Sequence, residues 1–197
     1  MMKKTKMEWL VKVAMLSAVS VLLMLLEFPL PFLAPPFYEL DFSEIPVLIG
    51  AFALGPVAGV VIEMLKVLLN LALNGTITAG VGELANCLMG ISFVLPAALI
   101  YRHKKCKKNA VLGLLLGSVA MVLVGSFINA YVLIPAYGTA LQMPMEAFVK
   151  MGAAIHPSID SIAKMVLLCV VPFNLLKATL VSVVTLMIYK KISPIFK

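Results

Sequence analysis

Charge is scarce in this sequence. Only 13% of the 197 residues are charged, while 62% are hydrophobic, against about a quarter and about a half in an ordinary soluble domain. A soluble helical domain needs polar residues along the outward faces of its helices. Most apolar stretches here have none, so lipid is the expected solvent of those faces. Acidic residues are scarcer than basic ones, 9 against 16, for a net charge of +7. Such an excess can mark a nucleic-acid partner, but the lysines and arginines gather at the ends of apolar runs without interleaved aromatics, which excludes that reading and makes them topology determinants. Three cysteines, Cys87, Cys106 and Cys169, contain no CxxC pair. The two histidines, His103 and His156, stand alone, so neither a disulfide framework nor a structural metal site is expected. No GxxxxGK[ST] loop is present, and any ATP-driven work falls to other chains. An enzyme acting inside the membrane would need a nucleophile, an acid–base pair or a metal cluster within its spans, and none is legible.

What is present is a series of long apolar runs. A helix needs roughly 20 apolar residues to cross the hydrocarbon, and the runs 9–27, 81–101, 110–134 and 170–189 meet that length. The stretch from Ser43 to Asn74 is too long for one upright helix and is interrupted by Gly55-Pro56. Charge decides how it folds, because cytoplasmic loops collect Lys and Arg. The strongest cluster is Arg102, Lys104, Lys105, Lys107 and Lys108, with Lys190, Lys191 and Lys197 at one end of the chain and Lys3, Lys4 and Lys6 at the other. One crossing by residues 43–74 would put the Arg102–Lys108 loop outside. Two crossings, 44–54 and 57–74, put every basic cluster on one side. The expected fold is therefore an all-α integral membrane domain of six transmembrane helices with both termini cytoplasmic. The apolar run after Lys6 lacks a small-x-small cleavage signal and is expected as a retained first helix.

Function is then expected at the outer face. It carries a Pro-rich loop at 28–42, a turn at 74–80 and a long connection at 135–169, in which Ile159 to Leu168 has the polar and apolar division of a short interfacial helix. Polar groups facing lipid are expensive and usually turn inward. Asn129, Asn174 and Lys177 stand out, the last two three residues apart and on one face. Two readings stand for them: a pocket whose amides offer donors and acceptors to a neutral heterocycle, or interhelical bonds and a snorkelling lysine that serve packing alone. The loop, with Pro29, Pro31, Pro35 and Pro36 and the aromatics Phe28, Phe32, Phe37 and Tyr38, can form a stiff lid over a flat ligand or simply a connector at the interface. Ser43 is placed to cap the second helix, and Asp41 and Glu44 read as solvated loop acids. Glu63 and Lys66, three apart, can neutralise one another, and Glu83 sits well at a helix amino terminus. Small-residue spacings occur at Ala14/Ala18, Gly55/Gly59 and Gly113/Gly117.

The segments FPLPFLAPPFYELDFSEIPVLIGAFALGPVAGVVIEMLK, GVGELANCLMG, FINAYVLIPAYG and PFNLLKATL together resemble the riboflavin-specific S component of energy-coupling factor transporters. The resemblance implies a six-helix membrane subunit without a resident cofactor. It would bind riboflavin from outside and dock on a shared coupling membrane subunit driven by two ATPase subunits. It also implies that Asn129, Asn174 and Lys177 contact the flavin, that Leu40, Asp41 and Phe42 lie in the loop over it, and that Ala14 and Ala18 face the coupling subunit. The 135–169 connection carries no recognisable part of the pattern. An S component for another flat vitamin, such as folate or thiamine, and a ligand-free scaffold remain as alternatives.

Overall fold

The computed structural model describes residues 2–192. Seven helices are present among them: α1 (Met2–Met24), α2 (Glu44–Leu54), α3 (Pro56–Asn74), α4 (Val81–His103), α5 (Lys107–Ala140), α6 (Met145–Ile155) and α7 (Ile162–Met165 running on through Val166–Val170 and Val171–Ile192). Five of them, α1, α3, α4, α5 and α7, are long and apolar enough to cross a membrane. A two-residue antiparallel pair, β1 (Phe28–Pro29) with β2 (Glu39–Leu40), closes the loop after α1, with Phe28 opposite Leu40.

The Gly55-Pro56 break is sharp because Gly55 adopts φ 108°, a conformation that costs a residue without Cβ nothing, and Pro56 then starts α3, where its missing N–H is not needed. This turn lies beside Trp9, Tyr101, Arg102 and Lys105. Phe52, Tyr101 and Tyr189 pack together at 4.5–5.9 Å between ring centroids. The start of α1, the α2–α3 turn, the basic loop and the end of α7 therefore share one end of the bundle. With eleven residues, α2 is only about 16 Å long, roughly half the hydrocarbon thickness. Its amino terminus stops short of the other end, and the loop with β1 and β2 covers the depression left above it. Irregular backbone at such a depth is tolerated where protein buries it or a polar cavity faces it, and both hold here.

Two helices run further than the hydrophobic pattern indicates. The run 110–134 is part of a helix reaching Ala140, and the expected separate interfacial helix at 159–168 is instead the first turns of α7. Each extension passes a proline by the same device. A π-helical turn, Asn129–Leu133 before Pro135 and Val166–Val170 before Pro172, lets the amide of Ile134 bond the Asn129 carbonyl and that of Val171 bond the Val166 carbonyl, five residues back. The widened turn accommodates a ring that would clash in a regular helix. Between 135 and 169 the chain also forms α6, whose Phe148 is fully buried in a second core with Ala34, Leu40, Ile159 and Phe173.

Of the small-residue spacings, Gly113 and Gly117 are contacts. A Cβ on them would lie 2.7 Å from the Ala97 carbonyl oxygen and 2.3 Å from that of Phe93, so α4 and α5 touch backbone to backbone. Ala14 and Ala18 are exposed on the outer side of α1.

Candidate substrate-binding site

At the end of the bundle away from the basic loop lies a cavity of about 290 Å³, near the lower bound for small-molecule sites. Its cover is the loop preceding α2, represented by Phe37, Tyr38, Glu39 and Asp41. Its walls are the end of α3, the start of α4, the π turn of α5 and the Phe173–Lys177 stretch of α7. The short α2 creates the room, and the two π turns place polar side chains at its edge.

Lys177 and Asp41 meet in this cavity. Lys177 Nζ donates to Asp41 Oδ2 at 2.6 Å, and the Ser43 amide donates to Asp41 Oδ1 at 2.7 Å. Asp41 is 2% exposed and Lys177 8%, so the pair is largely withdrawn from water. Burial by itself pushes the Asp41 carboxyl up, but the ammonium groups of Lys177 and Lys66 and the two donated bonds outweigh it and hold the group down at about 2. The expectation of solvated loop acids is corrected for both carboxylates. Asp41 latches the lid to α7, and Glu44 is buried against Lys66. Ser43 does not cap α2 with its hydroxyl, which has no partner. Its contribution is the backbone bond to Asp41, because an Asp side chain two residues upstream competes well for that amide.

Asn129 lies in the π turn. It accepts from the Tyr38 hydroxyl at 2.7 Å and donates to the Gly125 carbonyl at 2.7 Å, a second tie between lid and helices. Burial pushes the Tyr38 phenol strongly up, so it stays a neutral donor. Tyr38 also packs on Phe37 and Phe173 at 4.6 and 5.8 Å. Asn174, one helix away and 2% exposed, has an amide nitrogen without a partner. It fits because residue 125 is glycine: a Cβ there would stand 2.8 Å from that nitrogen. A buried amide left unbonded is costly, and here it belongs to a residue lining the cavity.

The structure thus brings Asn129, Asn174, Lys177 and Asp41 to one cavity. It does not place Leu40 or Phe42 on its surface. Leu40 is buried beneath the lid among apolar residues, and Phe42 is half-buried between the two cores. Residues that pattern reading passes over also line it. Asn70 and Asn74, joined by a 3.1 Å bond, are four apart in an apolar helix and so share a face, a spacing visible in the sequence. Tyr38 is legible in the sequence only as one of the lid's aromatics, since its bond to Asn129 depends on a partner 91 residues away. Glu83, in the first turn of α4, accepts from Thr76 at 2.9 Å and shapes the turn at the rim.

Below the cavity, Glu63 pairs with Lys66 at 2.8 Å as its spacing indicates, but Glu44 joins them, 2.7 Å from the same Nζ. All three are fully withdrawn from solvent or nearly so. Gly90 gives the triad its space, since a Cβ there would lie 2.2 Å from Glu63 Oε1.

Comparison with known proteins matches residues 8–189 to the family model described as ECF transporter, substrate-specific component. The riboflavin transporter RibU of Staphylococcus aureus is 34% identical over 188 residues, 95% of this chain and 92% of that protein. The riboflavin transporter FmnP of Bacillus subtilis is 34% identical over 190 residues, 96% and 94% of the two chains. The solved structure of the S component of a bacterial ECF transporter superposes with a TM-score of 0.75 at 33% identity, covering 98% of this chain and 99% of that one. With the fold, the lidded cavity and the near full-length match in agreement, the chain belongs to the substrate-specific components of ECF transporters, a family of transport subunits rather than enzymes.

Proposed function

We propose that this protein captures riboflavin at the outer face of the cell membrane and passes it inward by association with an ECF module of one coupling membrane subunit and two ATPase subunits. The observation that carries the proposal is the pair of asparagine amides, Asn129 and Asn174, on neighbouring helices of an aromatic-lidded cavity. The pyrimidine edge of an isoalloxazine alternates carbonyl oxygens with ring nitrogens, and primary amides can both donate to and accept from it. The unpartnered Asn174 nitrogen gains a bond when such an edge arrives. Phe37, Tyr38 and Phe173 offer faces and edges to the flat ring, and the hydroxyl and amide groups of Thr76, Asn70, Asn74 and Asn86 suit a polyol tail. The names of the relatives support riboflavin as the ligand.

In this reading the chain crosses six times, α2 being a short inward leg, and the shared end with Arg102 and Lys105 is cytoplasmic by the positive-inside rule. The exposed Ala14/Ala18 face of α1 is the surface offered to the coupling subunit, where small side chains allow close helix approach. The test is titration of riboflavin fluorescence against purified protein stripped of endogenous ligand. Saturable quenching at one flavin per chain, competed by neither folate nor thiamine, is expected. Failure of a folded preparation to quench overturns the assignment.

A further inference from the structure

The cavity rim has an uneven charge. Among the described residues, the cavity lining contains the carboxylates Glu27, Glu39, Asp41, Glu44 and Glu83 but only one cationic side chain, Lys177. That ammonium group is committed to Asp41 at 2.6 Å, and Glu44 is neutralised by Lys66 from below. Glu27, Glu39 and Glu83 have no ion-pair partner among the described residues. Glu27 lies just before β1 and Glu39 in β2, so both belong to the lid, whereas Glu83 lies in the first turn of α4, and all three line the same cavity. The lid and the start of α4 therefore place unpaired carboxylates at one opening, and among the described residues no unpaired cation lines it.

Resting on the riboflavin reading above, we propose that Glu27, Glu39 and Glu83 are specificity-determining residues that admit the uncharged vitamin and reject its 5′-phosphate ester, FMN. Riboflavin and FMN share the ring and the polyol, so the amides of the cavity treat them alike. They differ at the end of the tail, where FMN carries nearly two negative charges near neutral pH. A ligand seated with its ring between Asn129 and Asn174 has its tail directed to the rim, where the phosphate meets the charges of Glu39 and Glu83, joined by Glu27 as pH rises through about 7. A cleft lined by one sign of charge focuses its field, so the penalty exceeds that of the same carboxylates spread over open surface. A phosphate site would instead need unpaired Arg or Lys, or free amide groups of a helix amino terminus. The α4 amino terminus near the rim carries Glu83 in its first turn, which is the wrong charge for an anion.

The experiment is a pair of titrations, riboflavin and FMN, against the full chain in detergent at low and high salt. Wild type is expected to bind FMN roughly 30-fold or more weaker than riboflavin at low salt, with the gap narrowing as salt screens the rim. The triple variant E27Q/E39Q/E83Q is expected to shrink the ratio of the two dissociation constants by roughly tenfold or more. Because the ratio is read, any loss of affinity common to both flavins cancels. The single variant E39K, at an exposed position on the lid, moves the ratio in the same direction should the triple variant fail to fold. Equal affinity for the two flavins in wild type, or an unchanged ratio in variants that still bind riboflavin, overturns the charge filter and leaves the riboflavin assignment intact. A folded wild type that binds neither flavin overturns both.

Discussion

Replacing Lys177 by Met separates the latch from the ligand contact. The substitution keeps the length and apolar stem of the side chain and removes the charge, leaving the Asp41 carboxylate buried with only the Ser43 amide bond. Removing one partner of a buried ion pair costs about 3–5 kcal/mol. The acid's own titration gives an independent gauge. Asp41 is held at about 2 against an ordinary 3.8, a shift worth about 2 kcal/mol, and that is the net left after desolvation has worked against it. Losing the ammonium removes the largest favourable part and keeps the desolvation, so a loss of at least about 3 kcal/mol is expected, or about a hundredfold in an equilibrium constant. The double variant D41N/K177M removes both charges at nearly constant volume and is expected to recover most of the stability. The pH behaviour follows from a depressed carboxyl. The contribution of Asp41 is complete above 3.8 and is lost as pH falls through about 2, so between pH 5 and 8 the wild type shows no dependence from this group. Thermal unfolding in detergent, with riboflavin titration on the same samples, reads the cycle. Should K177M prove as stable as the double variant, the pair is no latch. Should the double variant regain stability but stay a hundredfold weak for riboflavin, the lysine acts on the ligand itself.

Four further outcomes are expected. Gly125→Ala places a methyl 2.8 Å from the Asn174 amide nitrogen and 3.0 Å from Met89 Cε. The methionine can yield while the amide is pushed from its position, so riboflavin affinity should fall roughly tenfold with little loss of folded yield, an overpacking cost of about 1–3 kcal/mol read by titration. Tyr38→Phe leaves Asn129 Oδ1 without its lid partner, a cost of about 1–3 kcal/mol. It should appear in stopped-flow traces as faster riboflavin release rather than slower capture. Glu27 is raised to about 7, first by burial and then by the neighbouring Glu39 and Asp41, with Lys177 opposing. Its folded pKa lies above the ordinary 4.5, so its contribution favours the closed lid below 4.5 and is lost as pH rises through 7. Riboflavin release should quicken as pH rises from about 4.5 to 7 and level off above that, and Glu27→Gln should flatten that dependence. Lys66→Met strands Glu44 and Glu63 together, at about 3–5 kcal/mol. Size-exclusion profiles should show loss of folded protein, partly recovered in E44Q/E63Q/K66M.

The parts of this molecule that were legible in the sequence are those fixed by local chemistry. The absence of polar faces marks the spans, the Lys and Arg clusters mark one end, and Gly55-Pro56 marks the reversal between α2 and α3. Asn174 and Lys177 were visible because two polar residues three apart inside an apolar helix have few places to go. What pattern reading misplaced depends on contacts distant in the chain. Asp41 looks like a loop acid until Lys177, 136 residues away, is brought to it. Glu44 likewise looks like a solvated loop acid until Lys66 is found one helix over. The helix boundaries expected at 134 and 170 fall beside Pro135 and Pro172, because nothing local announces that a π turn carries each helix past its proline. These misreadings share a cause with the site itself. A short α2 leaves a depression, the lid descends into it, and acids that would otherwise face water become buried where a cation from another helix must answer them. The same descent explains why Leu40 and Phe42, adjacent to Asp41 in the matched motif, turn away from the cavity. Around the latch their side chains pack into the apolar layers, and that packing holds the Asp41 carboxylate within reach of Lys177. A substitution at Leu40 should therefore act on lid closure for any ligand the cavity accepts, whereas one at Asn174 should act on the choice of ligand.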